Sequence, residues 1–150
     1  MMNRRAGRLS LAVLSLVAAC FLISEDEVAR VTSPNGLVDA ILTETNGGAT
    51  TSFGYLIYVA PRGASRSNSS KAASLYGATR SDQAYGVNLK RRGPDELAVE
   101  YFSAKSAGVI RHSVSVGDRE IRVSLVSGVG DPAAPPGGML YNLQGRPDDH

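Results

Sequence analysis

The stretch LVDAILTETNGGATTSFGYLIYV, residues 37–59, decides the fold. Apolar Val38, Ala40 and Leu42 recur at every second position ahead of Asn46-Gly47, and a second run follows in which Phe53 and Tyr55 do the same. Period-two alternation marks a half-buried strand, and Asn-Gly between two such runs marks a hairpin, because these residues tolerate positive φ. A turn at Asn46-Gly47 places Ala40 beside Phe53 and Val38 beside Tyr55, with Leu42 on the same face. A turn at Gly47-Gly48 shifts the partners by two and leaves the faces unchanged.

A second hairpin can be read further along. Residues 109–116 and 119–126 flank Gly117-Asp118. That turn sets Val116 opposite Arg119, Val114 opposite Ile121, His112 opposite Val123 and Ile110 opposite Leu125. The other face pairs Ser115 with Glu120, Ser113 with Arg122 and Arg111 with Ser124. Burial of the apolar face specifies the register, and His112 interrupts that face.

Tyr85, Val87 and Leu89 alternate in a further strand, as do Leu97, Val99 and Tyr101 after the turn at Gly93-Pro94-Asp95. The pattern predicts an all-β domain over residues 28–126, with about seven antiparallel strands in a curled sheet or small sandwich. Residues 61–72, PRGASRSNSSKA, read as a polar loop. Residues 127–150 hold four of the seven prolines and five glycines, too little apolar material to offset ordering, and read as a disordered tail. Met139-Leu140-Tyr141 is the one apolar spot there, able to dock as a terminal strand.

The amino terminus has a different character. Arg4, Arg5 and Arg8 precede an apolar run from Leu9 to Val17, and Ala18, Ala19 and Cys20 follow. A basic start, a short apolar middle and small residues before a cleavage point make a helical signal peptide over residues 1–19. The run is too short for a membrane-spanning helix. Cys20 is the only cysteine. Val17-Ala18-Ala19-Cys20 resembles the lipobox of bacterial lipoproteins. The resemblance implies that the Cys20 sulfur carries diacylglycerol (its nucleophilicity is why the chemistry uses a thiol) and that the new amino terminus is acylated, as in the palmitate-bearing members. A free thiol in an uncleaved anchor, or cleavage elsewhere, are the competing readings.

Removing 19 of the 150 residues leaves 131, enough for one domain. Losing three arginines from 16 basic residues leaves 13 against 14 acidic ones, a net charge of −1. The sequence pI near 8.8 therefore owes much to the leader, and no nucleic-acid partner is expected without a basic face. Residues 20–27, with acidic Ser24-Glu25-Asp26-Glu27, read as a lipidated tether. In Gram-negative lipoproteins an Asp after the cysteine retains the protein in the inner membrane. Phe21 at that position implies a periplasm-facing outer-membrane location, where the source has that sorting system.

Ser33-Pro34-Asn35-Gly36, with residues 39–63 and ELAVEYF at 96–102, resembles a family of small, largely uncharacterised bacterial proteins. Its pattern is an S-P-D-G turn, a strand, then C-G-A-T-T and an aromatic. Here Asn35 replaces the Asp and Gly47 the Cys, and no tryptophan precedes the later strand, so any role of that cysteine is absent. The resemblance implies a fold and no activity.

Few residues carry chemistry. His112 is read as structural, since a general base needs a nucleophile or carboxylate beside it. His150 with Asp148 and Asp149 makes a poor metal chelate, and no metal or other cofactor is expected. No nucleophile elbow, S-x-x-K or phosphate-binding loop is present. Lys90-Arg91-Arg92 reads as a solvated turn, with anionic lipid as the alternative partner. Thr50, Thr51 and Ser52 beside the turn, with Tyr58 and Arg62 near the 61–72 loop, are the binding candidates. Thr50–52 and the loop lie at opposite strand ends, so a protein or polymer would bridge them and a small ligand would not. Phe53 and Tyr55 serve as anchors or fill the core, whereas Tyr58 has the opposite parity.

The function read from this is a lipid-anchored envelope binding or structural module, contacting an envelope protein or cell-wall polymer. An inhibitor of a cell-wall-degrading enzyme is a sub-case. The alternative is a lipid-anchored hydrolase.

Overall fold

A computed structural model describes residues 23–134. The signal peptide, Cys20, the Met139-Leu140-Tyr141 stretch and His150 lie outside the described residues. Among those described, nine strands form two sheets: β1 (Ser24–Thr32), β2 (Val38–Asn46), β3 (Gly54–Pro61), β4 (Lys71–Tyr76), β5 (Val87–Gly93), β6 (Glu96–Tyr101), β7 (Ser106–Val109), β8 (Ser113–Val116) and β9 (Arg119–Val126). One sheet has the order β1-β2-β3-β4-β7 and the other β5-β6-β9-β8. All pairs are antiparallel except β6 with β9. That parallel pair needs a crossover, which the chain makes by visiting the other sheet as β7 and returning through β8.

The sheets enclose one core. Val38, Ala40, Leu42, Tyr55, Ile57 and Val59 meet Val87, Leu97, Val99, Val114, Ile121 and Val123 across the interface. These residues share the parity that alternation assigns to the buried face. β2 is buried on both faces from Val38 to Glu44, because a second cluster of Ile41, Tyr58 and Ala60, with Ala64 packed on it, covers the outer side.

The first hairpin keeps the expected faces and changes the expected register. Ala40 pairs with Val59 and Val38 with Pro61, six residues beyond the partners that a tight Asn46-Gly47 turn dictates. The reason is burial. A tight turn would set Thr51 opposite Leu42, whereas the observed register sets Ile57 there. An even shift preserves parity. The extra residues form a wide loop, in which Asn46 Oδ1 accepts the Gly48 N–H at 2.9 Å and the Gly48 carbonyl accepts the Thr51 N–H at 3.1 Å. Gly48 sits at φ +102, outside the range of ordinary side chains.

The second hairpin is as expected from Val116–Arg119 back to Ser113–Arg122. Before Ser113 the strand diverges. The Ile110 and Arg111 N–H groups both donate to the Ala72 carbonyl, which draws the chain toward the other sheet. The expected apolar face at Ile110 and His112 is therefore corrected: both side chains are exposed, although the His112 carbonyl still accepts the Val123 N–H at 2.9 Å.

Two expected boundaries also move. Residues 24–27, read as tether, belong to β1, where Ser24 pairs with Asn46 and Glu27 with Thr43. Glu25 is held there as an acceptor, taking hydrogen bonds from Thr43 at 2.9 Å and Tyr58 at 2.8 Å and an ion pair from Arg66 at 3.3 Å. Residues 127–134, read as tail, stay on the domain: Gly128 and Val129 N–H groups donate to Phe102 and Tyr101, and Asp131 is buried.

Candidate functional site

The site begins with a parity conflict in β2. Val38, Ala40 and Leu42 face the core, so Glu44 does too, and it is only 5% exposed. Its cross-strand partner is Tyr55, which is fully buried. Arg80 closes on the pair from the segment between β4 and β5, with its Nη1 3.5 Å from Glu44 Oε1. The Arg80 guanidinium stacks 3.9 Å from the Phe53 ring centroid and 4.5 Å from that of Tyr85. It also donates to the Tyr85 hydroxyl. Guanidinium over aromatic faces is a favourable contact that strengthens as water is excluded.

Burial dominates the electrostatics. It pushes the Glu44 carboxyl above its ordinary value, against the opposing pull of Arg80 and the Tyr55 hydroxyl. Burial, then the Glu44 charge, also raises Tyr55. The Tyr55 hydroxyl faces Glu44 closely enough to favour its charge. Yet neither that hydroxyl nor Glu44 Oε2 reaches strict hydrogen-bond geometry with a described residue. Gly86, at φ +73, gives the phenol its room: a Cβ there would stand 2.7 Å from the hydroxyl.

Above this buried cluster the wide loop leaves a concavity of about 480 Å³. Asn46, Gly48, Thr51 and Ser52 form one wall, Gly77 and Ala78 the other, and Phe53 with Arg80 the base. Ser52 N–H donates to the Tyr76 hydroxyl at 3.0 Å, and Lys105 Nζ reaches Ser52 Oγ at 2.7 Å. Thr50 and Thr51 are exposed. The arrangement offers hydroxyls and a stacked cation over an aromatic base, which suits recognition of a polar group with a flat or apolar part.

Tyr58 and Arg62 are not part of it. Tyr58 is 4% exposed and donates its hydroxyl to Glu25, so it fills the outer cluster instead of anchoring a partner. Burial, then Glu25, pushes its pKa up to about 12. Arg62 is exposed at the far end, beside Leu37. The 61–72 loop is fastened across the sheet: Gly63 N–H donates to Asp39 at 2.9 Å, Arg30 reaches the Ala64 carbonyl and Arg66 the Glu25 carbonyl. Its last two residues belong to β4.

A second hollow of about 370 Å³ is lined by Arg92, Glu96, His112 and Arg122, among others. Glu96 there is held by Arg122 and Arg92 is held by Glu100. Among the described residues, no group of three His, Cys, Asp or Glu could hold a metal ion. No described helix is long and apolar enough to cross a membrane.

Glu44 and Arg80 are the residues that sequence reading missed. Glu44 had a signal, since it continues the buried parity of β2. Arg80 had none, since its segment carries no periodicity. Comparison with protein-family models, curated proteins and solved structures gives no match to this chain.

Proposed function

We propose that the chain is a lipid-anchored binding module of the bacterial envelope, and that the concavity between the 46–53 loop and Arg80 is its recognition site. The observation carrying this is the buried Glu44–Arg80 pair directly beneath an open hollow lined by Phe53 and small residues, with Asn46, Thr51 and Ser52 at one wall. A hydrophobic pair of similar volume would often serve stability as well or better, so a buried polar pair at this position supports a role beyond packing. Anchoring rests on the leader and Cys20. The partner is an envelope protein or a cell-wall polymer.

The test removes the site and spares the fold. Deleting residues 49–52 leaves Gly47-Gly48 as a two-residue turn between Asn46 and Phe53 in the existing register. Crosslinked envelope preparations should yield a partner with the intact chain and lose it with the shortened one. Equal capture by both would reject this site. Turnover of a cell-wall substrate, lost on His112→Ala substitution, would favour the hydrolase reading instead.

A further inference from the structure

Strand direction determines which end of the sandwich an anchored amino terminus must approach. β1 starts at Ser24, opposite Asn46. Gly54 pairs with Thr45 and Tyr76, and Ser106 with Tyr76. Thr79 N–H donates to the Ser103 carbonyl. One end of the molecule therefore gathers the chain entry, the 46–53 loop, Tyr76 and residues 102–105. Cys20 lies four residues before Ser24, a reach of about 14 Å even when fully extended.

This end exposes Ile23 at 67%, Tyr76 at 40% and Phe102 at 39%. Lys105 stands over the Tyr76 ring at 5.9 Å. Aromatic side chains beside a lysine are the residue types that settle at the headgroup level of a bilayer. Asp26 on β1 and Asp82 in the turn after Arg80 are also exposed, so the end is not strongly cationic and apolar insertion is the main contact. Leu37 and Ile110, the other large exposed apolar residues among those described, lie near the far end, beside Arg62 and Ala72 respectively.

We propose that this end rests on the bilayer, with Ile23, Tyr76 and Phe102 in the headgroup layer and the Arg62 end held away from it, so that the concavity beside Tyr76 is reached by an envelope protein that itself lies at the membrane surface. The inference rests on the lipid-anchored reading. The chain has no tryptophan, so single substitutions give clean reporters. Full chains with Tyr76→Trp, Phe102→Trp or Leu37→Trp, recovered from membranes, would be placed in phosphatidylethanolamine–phosphatidylglycerol vesicles containing shallow brominated lipid. The expected result is at least about a twofold loss of emission at positions 76 and 102 and little at 37. Equal quenching at the three positions, or quenching at 37 alone, overturns the inference. Mass spectrometry of the same samples separates the two ideas. Lipid on Cys20 without quenching at 76 and 102 leaves anchoring standing and rejects the apposition. Quenching without lipid upholds the apposition and rejects the anchor.

Discussion

Asp39 and Glu44 are two buried acids on one strand, and their surroundings treat them in opposite ways. Asp39 faces outward from the sandwich and is fully engaged: Arg30 at 2.9 Å, the Thr32 hydroxyl at 2.8 Å and the Gly63 N–H at 2.9 Å all donate to it. Burial works against its charge, but the Gly63, Thr32 and Arg30 hydrogen bonds hold its pKa below the ordinary 3.8. Glu44, on the other face, has Arg80 at 3.5 Å and the Tyr55 hydroxyl beside it, and burial still raises its pKa. An odd sequence separation places them on opposite faces. The contrast teaches that an acid clamps the Arg62 end of the fold shut, while the other end holds a charge at some expense beneath a hollow.

The largest effect should come from breaking the clamp. Asp39→Ala leaves Arg30 and the Gly63 N–H without their acceptor and should destabilise the fold by about 3 kcal/mol, read by urea denaturation. Wild-type stability from Asp39 is complete above pH 3.8 and is lost as pH falls through its depressed folded pKa. The defect of Asp39→Ala should accordingly shrink in acid. A defect independent of pH would show that packing, not charge, makes the clamp.

Glu44 should act in the reverse sense. Its folded pKa is raised, so the native state binds more protons, and stability falls as pH rises from 4.5 toward the folded value. Glu44→Gln lacks that loss and should gain on the wild type as pH rises across the window. A parallel pair of pH–stability curves would erase the contrast with Asp39.

Loop shortening sharpens it from another side. Deleting residues 49–52 should change stability by about 1 kcal/mol or less, since loop length is a slow entropic function, while abolishing capture. Strand content in circular dichroism should be retained. The smallest effect is expected at His112, whose side chain is exposed: His112→Leu should shift stability by no more than about 0.5 kcal/mol.

These sites differ in how far they can be read from residues alone. The core-facing parity of Val38, Ala40 and Leu42 and of Phe53 and Tyr55 follows from the period of two, and it remains valid although the hairpin register moved by six. The exposure of His112 is not visible. Its neighbours alternate as a strand should, and only the Ala72 carbonyl, more than thirty residues earlier, draws the chain aside. The clamp on Tyr58 and the 61–72 loop likewise depends on Glu25, in a segment whose acidity reads as solvated.

Sequence by itself determined the all-β class, the turn at Gly117 and the core-facing parity of residues 38–42, 53–55, 97–99, 114 and 121–123, because a period of two is a local property that even register shifts leave intact. Tertiary structure alone decided that the strands divide into two sheets, that β6 and β9 run parallel, and that Glu44 and Arg80 meet under the wide loop. Those outcomes depend on which distant surfaces bury one another, and the free energy of burial belongs to the assembled core.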